Sequence, residues 1–141
     1  MRLVLDTDVM VAAFRSNRGA SRQLLMTALE GGLDLLVSMP LMIEYEAVLT
    51  RIEHLAEIGL ACDEVNEVLD AVARVAVPVS LHYLWRPRLK DSADEMVLEA
   101  AVNGNADALV TFNLRHLAEG ASEFGLHVML PREAWKRVQK I

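Results

Sequence analysis

Apolar residues follow two rhythms along the chain, short unbroken runs and longer stretches in which they recur every third or fourth position. Leu3-Val4-Leu5 is a run that stops at Asp6, and Val9, Met10, Val11, Ala12, Ala13 and Phe14 continue as an apolar helix until Arg15-Ser16-Asn17-Arg18-Gly19 breaks it. The pattern predicts strand, turn, helix. A second helix is expected from Ala20-Ser21 to Gly31-Gly32, with Leu24, Leu25, Ala28 and Leu29 on one side and the glycine pair as its stop. Leu33-Asp34-Leu35-Leu36-Val37-Ser38 reads as a second strand, and Pro40 falls where the first turn of a third helix accepts proline. In that helix Leu41, Tyr45, Val48 and Ile52 recur at helical steps and predict one buried stripe.

Another helix is predicted over 63–74, with Val65, Val68, Leu69 and Val72 inward. Val75-Ala76-Val77-Pro78-Val79 is rich in β-formers but contains proline, which assigns it to a sheet edge. An irregular basic linker with Arg86, Pro87, Arg88 and Lys90 leads to a helix over 91–103. A strand at Ala108-Leu109-Val110-Thr111, a helix over 114–118, a strand at His127-Val128-Met129-Leu130 and a last helix after Pro131 complete the series. Strands alternate with helices throughout. The expected class is therefore α/β, a three-layer αβα sandwich around a mainly parallel sheet of about five strands. At 141 residues, without internal repeats or low-complexity stretches, the chain reads as one domain.

Composition adds three constraints. With 53% hydrophobic and 24% charged residues there is ample material for a core, and disorder is not expected. Fourteen Lys and Arg against 20 Asp and Glu leave a charge of -6, the wrong sign for gripping nucleic acid by bulk electrostatics. A phosphate-bearing substrate must then meet local basic patches or bound cations. The single Cys62 can form neither an internal disulfide nor a thiolate metal site and is expected as a small buried hydrophobe. No apolar run is long enough to span a bilayer and no secretory leader pattern opens the chain, so a cytoplasmic protein is expected.

Candidate chemistry comes from the acids. In an open parallel sheet the functional crevice lies outside the carboxyl ends of the strands, and Asp6 stands at such an end, although a carboxylate there also caps the following helix. On the helix after Asp91 each residue advances about 100°. Glu95, Glu99 and Asn103 then share one polar face, whereas Asp94 falls between the directions of Leu98 and Ala101 on the apolar side. An inward carboxylate needs a partner, because burying an unpaired charge is costly. Metal coordination, a protonated partner or a place at the core edge near the helix dipole would each satisfy it. Asp91 reads as the N-cap, with Glu95 completing a rough capping pattern. In the third helix Glu44 and Glu46 flank the apolar stripe at similar angles, and periodicity does not choose between them. Three carboxylates meeting in one crevice repel one another unless a divalent cation sits between them. Oxygen-only ligands, with His54, His82, His116 and His127 scattered, select Mg²⁺ or Mn²⁺ over zinc, and such a site suits phosphodiester cleavage.

The motifs, taken in order, are similar to those of the PIN-domain ribonucleases, particularly the VapC-like toxins of toxin-antitoxin pairs. They are Val4-Leu5-Asp6-Thr7-Asp8-Val9-Met10-Val11, where the family has an Asp-Thr-Asn-Val opening, Gly19-Ala20-Ser21-Arg22-Gln23-Leu24-Leu25, and Glu44-Tyr45-Glu46-Ala47-Val48-Leu49. Further on come Asp91-Ser92-Ala93-Asp94-Glu95-Met96-Val97-Leu98-Glu99-Ala100-Ala101 and Ala106-Asp107-Ala108-Leu109-Val110-Thr111-Phe112-Asn113. The resemblance implies Asp6, Glu44 and Asp94 as catalytic metal ligands for Mg²⁺ or Mn²⁺, which selects Glu44 over Glu46. It places Asn113 where the family often has a fourth acid, so a second metal position is weaker. Asp8 stands where the pattern usually has Asn, and Asp8, Asp91 and Thr111 are candidates to support the ligands. The resemblance further implies an RNA substrate, a small antitoxin partner and a homodimer. Arg15, Arg18 and Arg22 follow the first motif, and Arg86 and Arg88, with Lys90, precede the third, so that either group offers contacts to RNA phosphates. Seven aromatics spread along the chain do not suggest a base-stacking platform.

Two other readings compete. A PIN-like fold weakened by Asn113 would bind RNA or a partner without cutting. Alternatively, Asp6 and Asp8 fit the Asp-x-Asp opening of haloacid-dehalogenase-like phosphatases, as nucleophile and general acid, but the chain is small for that fold and Lys90 is poorly spaced for the required lysine.

Overall fold

The unbroken apolar runs become the strands of a single sheet. In a computed structural model that describes residues 1–82 and 92–140, these are β1 (Arg2–Leu5), β2 (Asp34–Ser38), β3 (Val77–Val79), β4 (Ala108–Val110) and β5 (Val128–Met129). They lie side by side in the order β3-β2-β1-β4-β5, every pairing parallel. Leu3, Val4 and Leu5 of β1 pair with Ala108, Leu109 and Val110 of β4, and all six are fully buried. This is why their runs carry no alternation: both faces of the central strands are covered. Pro78 sits in the edge strand β3, as its missing N–H requires.

The helices are α1 (Thr7–Arg15), α2 (Ala20–Leu29), α3 (Met39–Leu49), α4 (Ile52–Ile58), α5 (Cys62–Val75), α6 (Ser92–Asn103), α7 (Leu114–Ser122) and α8 (Pro131–Gln139). Helix α6 packs on β1, β2 and β4 and is flanked by α3 and α7, while α2 is flanked by α1, α5 and α8. The five-stranded parallel sheet between helices is the α/β architecture that the alternation predicts. Successive strands step from β1 to β2 to β3 in one direction, and β4 and β5 then build on the other side of β1. The order therefore reverses between β1 and β4, which makes the space beyond their carboxyl ends the crevice where this fold class binds ligands.

Three expectations need correcting. The stripe expected to run through Ile52 stops at Leu49, because Arg51 is extended (ψ 139°) and a separate helix starts after it, leaving Ile52 83% exposed. Helix α4 ends at Gly59, whose left-handed backbone (φ 70°) closes it. Cys62 is exposed rather than buried, since it is the first residue of α5 and precedes the inward stripe of Val65, Leu69 and Val72. Glu95 and Glu99 are buried rather than solvent-facing. A helix wheel offers one wet face only to a helix covered from one side, and α6 is covered by the sheet and by two helices. Among the described residues, no helix is long and apolar enough to cross a membrane.

Candidate active site

At the reversal point the chain leaves β1 through Asp6, whose backbone stays extended (ψ 155°) and whose N–H donates to the Val110 carbonyl at 2.9 Å. The strand pairing is thus carried one residue past β1 before α1 begins. Asp6 is the N-cap of α1: Oδ1 accepts the Thr7 N–H at 2.7 Å. Its other oxygen is engaged elsewhere, Oδ2 accepting the hydroxyl of the fully buried Thr111 at 2.7 Å. One oxygen of the carboxylate thus caps α1, and the other ties it to the segment after β4.

Asp8, in the first turn of α1, reaches the same segment, its Oδ2 accepting the Phe112 N–H at 3.2 Å. Thr111 Oγ1 accepts the Asn113 N–H at 2.9 Å, and the Thr111 N–H donates to the Met129 carbonyl at 3.0 Å. Two acids on α1 and its cap therefore hold Thr111-Phe112-Asn113 from one side while β5 holds it from the other. Asn113 itself is exposed and is the N-cap of α7.

Burial, then the neighbouring Asp8 carboxylate, pushes the Asp6 carboxyl up to about 6, against the pull of the hydrogen bonds from Thr111 and Thr7. Asp8 is likewise held above the ordinary carboxylate range, by burial. Among the described residues no cationic side chain contributes to either shift. In addition, Asp8 Oδ1 is buried without a hydrogen-bond partner. An acid pair of this kind, oxygen-only and uncompensated, fits a hard divalent cation.

Tyr45 brings the second acidic segment to the site. It is fully buried on α3 and its hydroxyl donates to the Leu5 carbonyl at the end of β1. Burial and the Asp6 charge both push the phenol up. Beside it Glu44 is half-buried whereas Glu46 is exposed, so the flanks that periodicity leaves equal are unequal in the fold. Asp94, in the first turn of α6, is only 7% exposed, on the inward side that its wheel position predicts. In a parallel sheet, helices that follow strands begin at the carboxyl edge, which puts the starts of α1, α3, α6 and α7 on one rim. Yet among the described residues no three His, Cys, Asp or Glu side chains are gathered into a group able to hold a metal. Asp6 and Asp8 meet, and Glu44 and Asp94 stand on helices that begin on the same rim.

The basic candidates divide. Arg15 is exposed and pairs with Glu57 at 2.5 Å, Arg18 is exposed, and the Arg22 Nε donates to the Ala13 carbonyl at the end of α1. Asp91, Arg86, Arg88 and Lys90 lie outside the described residues. Sequence reasoning passed over Phe112, whose signal is an aromatic residue directly after the strand-end Thr111. It borders an open cleft of about 550 Å³ that runs along α1 from Asp8 to Arg15.

Comparison with known proteins bears on the whole arrangement. A family model described as PIN domain matches residues 2–115. Among curated proteins none matches the chain in sequence. Among solved structures the chain is similar to the crystal structure of VapBC2 from Rickettsia felis bound to a DNA fragment from their promoter, with a TM-score of 0.60 and 14% identity over 91% of this chain and 97% of that one. At that identity the likeness speaks for the fold, which is not the haloacid-dehalogenase-like one weighed above. The match over most of the sequence, joined to a parallel sheet with its acids at the β1–β4 reversal, establishes that this chain belongs to the PIN domain family.

Proposed function

We propose that the protein is a metal-dependent endoribonuclease, the toxin of a toxin-antitoxin pair. One observation carries the reading most: the buried Asp6 carboxylate stands at the sheet's reversal point against a second acid, Asp8, with no cationic side chain among the described residues contributing to its charge balance. Asp6, Glu44 and Asp94 are the residues assigned to hold Mg²⁺ or Mn²⁺, with Asp8 adding charge where Asn113 withholds it. The chemistry that such a cation supplies is acidification and in-line orientation of a water, with stabilisation of charge on the leaving oxygen. The chain's own residues set the stage: Thr111 fixes the Asp6 oxygen, Tyr45 fixes α3 to the end of β1, and Asp8 holds the backbone of Phe112. Arg15 and Arg18 are assigned to RNA phosphates, which an overall charge of -6 makes necessary. Arg22 is committed to a backbone carbonyl and is left out of that role. An antitoxin partner and a homodimer complete the reading.

RNA cleavage with and without Mg²⁺ or Mn²⁺ tests the proposal. Activity that needs the cation and is lost in both Asp6→Asn and Asp94→Asn supports it, whereas cleavage surviving either change removes it. That no three acids among the described residues gather into a group able to hold a metal favours a second reading, a PIN fold that binds RNA without cutting. Metal-independent RNA binding with no turnover in any divalent cation would establish that alternative.

A further inference from the structure

The cleft beside the acids is lined by Val11, Ala12 and Val48, with Asp8 at one end, Arg15 two helical turns away at the other, and the ring of Phe112 on its border. Phe112 is 51% exposed. An exposed phenylalanine is ordinary on a protein surface, but the backbone that carries this one is anchored on every side. Its own N–H is held by Asp8, the residue before it by Asp6 and β5, and the residue after it by Thr111. The residue is therefore anchored through its backbone at the sheet's reversal point, with an apolar floor beside it and a guanidinium beyond. That guanidinium is available, since the Arg15–Glu57 pair is more than half exposed on both sides and holds weakly.

The geometry points to Phe112 as a stacking platform for one unpaired nucleobase of an RNA lying in this cleft. An aromatic face, an apolar floor and a cation within two helical turns match the base and the phosphate of a single strand, and not the face of a duplex, whose bases are already stacked on one another. A strand held there has its backbone next to Asp6 and Asp8. The inference rests on the ribonuclease reading for the identity of the strand, and adds the side chain that positions one of its bases beside the acids. Sparse aromatics along the sequence speak against a platform of several rings, and one ring at this place is sufficient for a single base.

A short RNA carrying the fluorescent base 2-aminopurine, mixed with the full chain in low-salt buffer with EDTA, tests this without turnover. Stacking predicts quenched fluorescence with the wild-type chain and with Phe112→Trp. With Phe112→Ala and Phe112→Leu it predicts loss of quenching and about 5- to 100-fold weaker binding. Phe112→Leu keeps an apolar side chain, so its failure separates stacking from simple hydrophobic contact. The same RNA annealed into a duplex is expected to bind no better than the alanine variant. Absent quenching in the wild type, unchanged affinity in Phe112→Ala, or equal binding of the duplex overturns the inference; the last two leave the cleft to a protein ligand. Cleavage of the same RNA with Mn²⁺ is scored separately. Stacking without cleavage removes the nuclease reading alone, and cleavage without stacking removes this inference alone.

Discussion

Asp6 and Thr111 are 105 residues apart in sequence, yet Asp6 Oδ2 accepts the Thr111 hydroxyl at 2.7 Å in the buried space where β1 and β4 end. This one bond joins the strands on either side of the sheet's reversal and fixes the acid on which the proposed chemistry depends. Thr111→Val retains the shape and removes the donor. It also leaves the Asn113 N–H without its acceptor. The expected cost is about 1.5–3 kcal/mol in urea unfolding, the usual loss for a buried hydrogen bond to a charged group. The Asp6 carboxyl should move above about 6, because the Thr111 bond is one of the two that hold it down. Thr111→Ser should return both quantities most of the way. An unchanged Asp6 titration by NMR in Thr111→Val would show that the bond does not tune the acid.

Asp6 also sets a pH dependence. Folded, it keeps its proton up to about 6, whereas the ordinary value is 3.8. Between those values the folded chain binds more protons than the unfolded one, so this acid's contribution to stability is full below 3.8 and declines as pH rises through about 6. The difference corresponds to roughly 2–3 kcal/mol at pH 7. Asp6→Asn should therefore be more stable than the wild type at pH 7 in metal-free buffer, by about 1–3 kcal/mol with the loss of the charge. At pH 4 the two should converge. Mg²⁺ or Mn²⁺ at about 100 times its Kd should add roughly 2.7 kcal/mol to the wild type at pH 7. The gain should shrink toward pH 5, where protons compete. Thermal melts of both chains across this range decide it, and Asp6→Asn melting below the wild type at pH 7 in EDTA would be the contrary result.

How far the sequence could be read depended on what kind of force set each feature. Burial on both faces wrote β1, β2 and β4 directly into apolar runs such as Leu3-Val4-Leu5, and the end of such a run located Asp6. Where coverage came from more than one direction the pattern misled: Glu95 and Glu99 form a polar stripe on paper and are buried by α3, α7 and the sheet together. The break between α3 and α4 had no local signal, since neither Thr50 nor Arg51 is a helix breaker of the Gly or Pro kind. At the site, periodicity alone left Glu44 and Glu46 equal, because the wheel contains no information about which flank faces the end of β1. That fact is supplied by a tertiary bond from the intervening Tyr45 to the Leu5 carbonyl.

The same bond separates the two glutamates experimentally. Glu44→Gln should lower RNA cleavage by about 100-fold or more if the half-buried Glu44 serves the metal. Glu46→Gln, on the exposed flank, should stay within about twofold. Tyr45→Phe should cost about 1–2 kcal/mol of stability by leaving a buried carbonyl without its donor. It should also lower cleavage less than Glu44→Gln does, because it only loosens the segment that carries Glu44. Equal losses from Glu44→Gln and Glu46→Gln in initial-rate assays would return the two acids to the ambiguity of the helix wheel.

His54 supplies a pH effect of opposite sign. It is buried on α4 with its ring set edge-on to Phe14 of α1 at 6.3 Å, and neither ring nitrogen has a hydrogen-bond partner. Burial first, then the Arg15 charge, holds its pKa below the ordinary 6.5. The unfolded chain therefore takes up this proton before the folded one. The contribution is full above 6.5 and is lost as pH falls through the lowered value. Replacing His54 with Leu removes two unsatisfied nitrogens and keeps an apolar contact with Phe14. The variant should gain about 1 kcal/mol at pH 7 and more at pH 5. Because His54 is not among the acids assigned to the metal, the dependence of cleavage on a divalent cation should be unchanged. The wild type thus carries two opposed titrations, Asp6 favouring low pH and His54 favouring high, and the single variants should tilt the stability profile in opposite directions. A His54→Leu chain whose melting temperature falls between pH 5 and 7 in parallel with the wild type would show that the histidine contributes nothing to that profile.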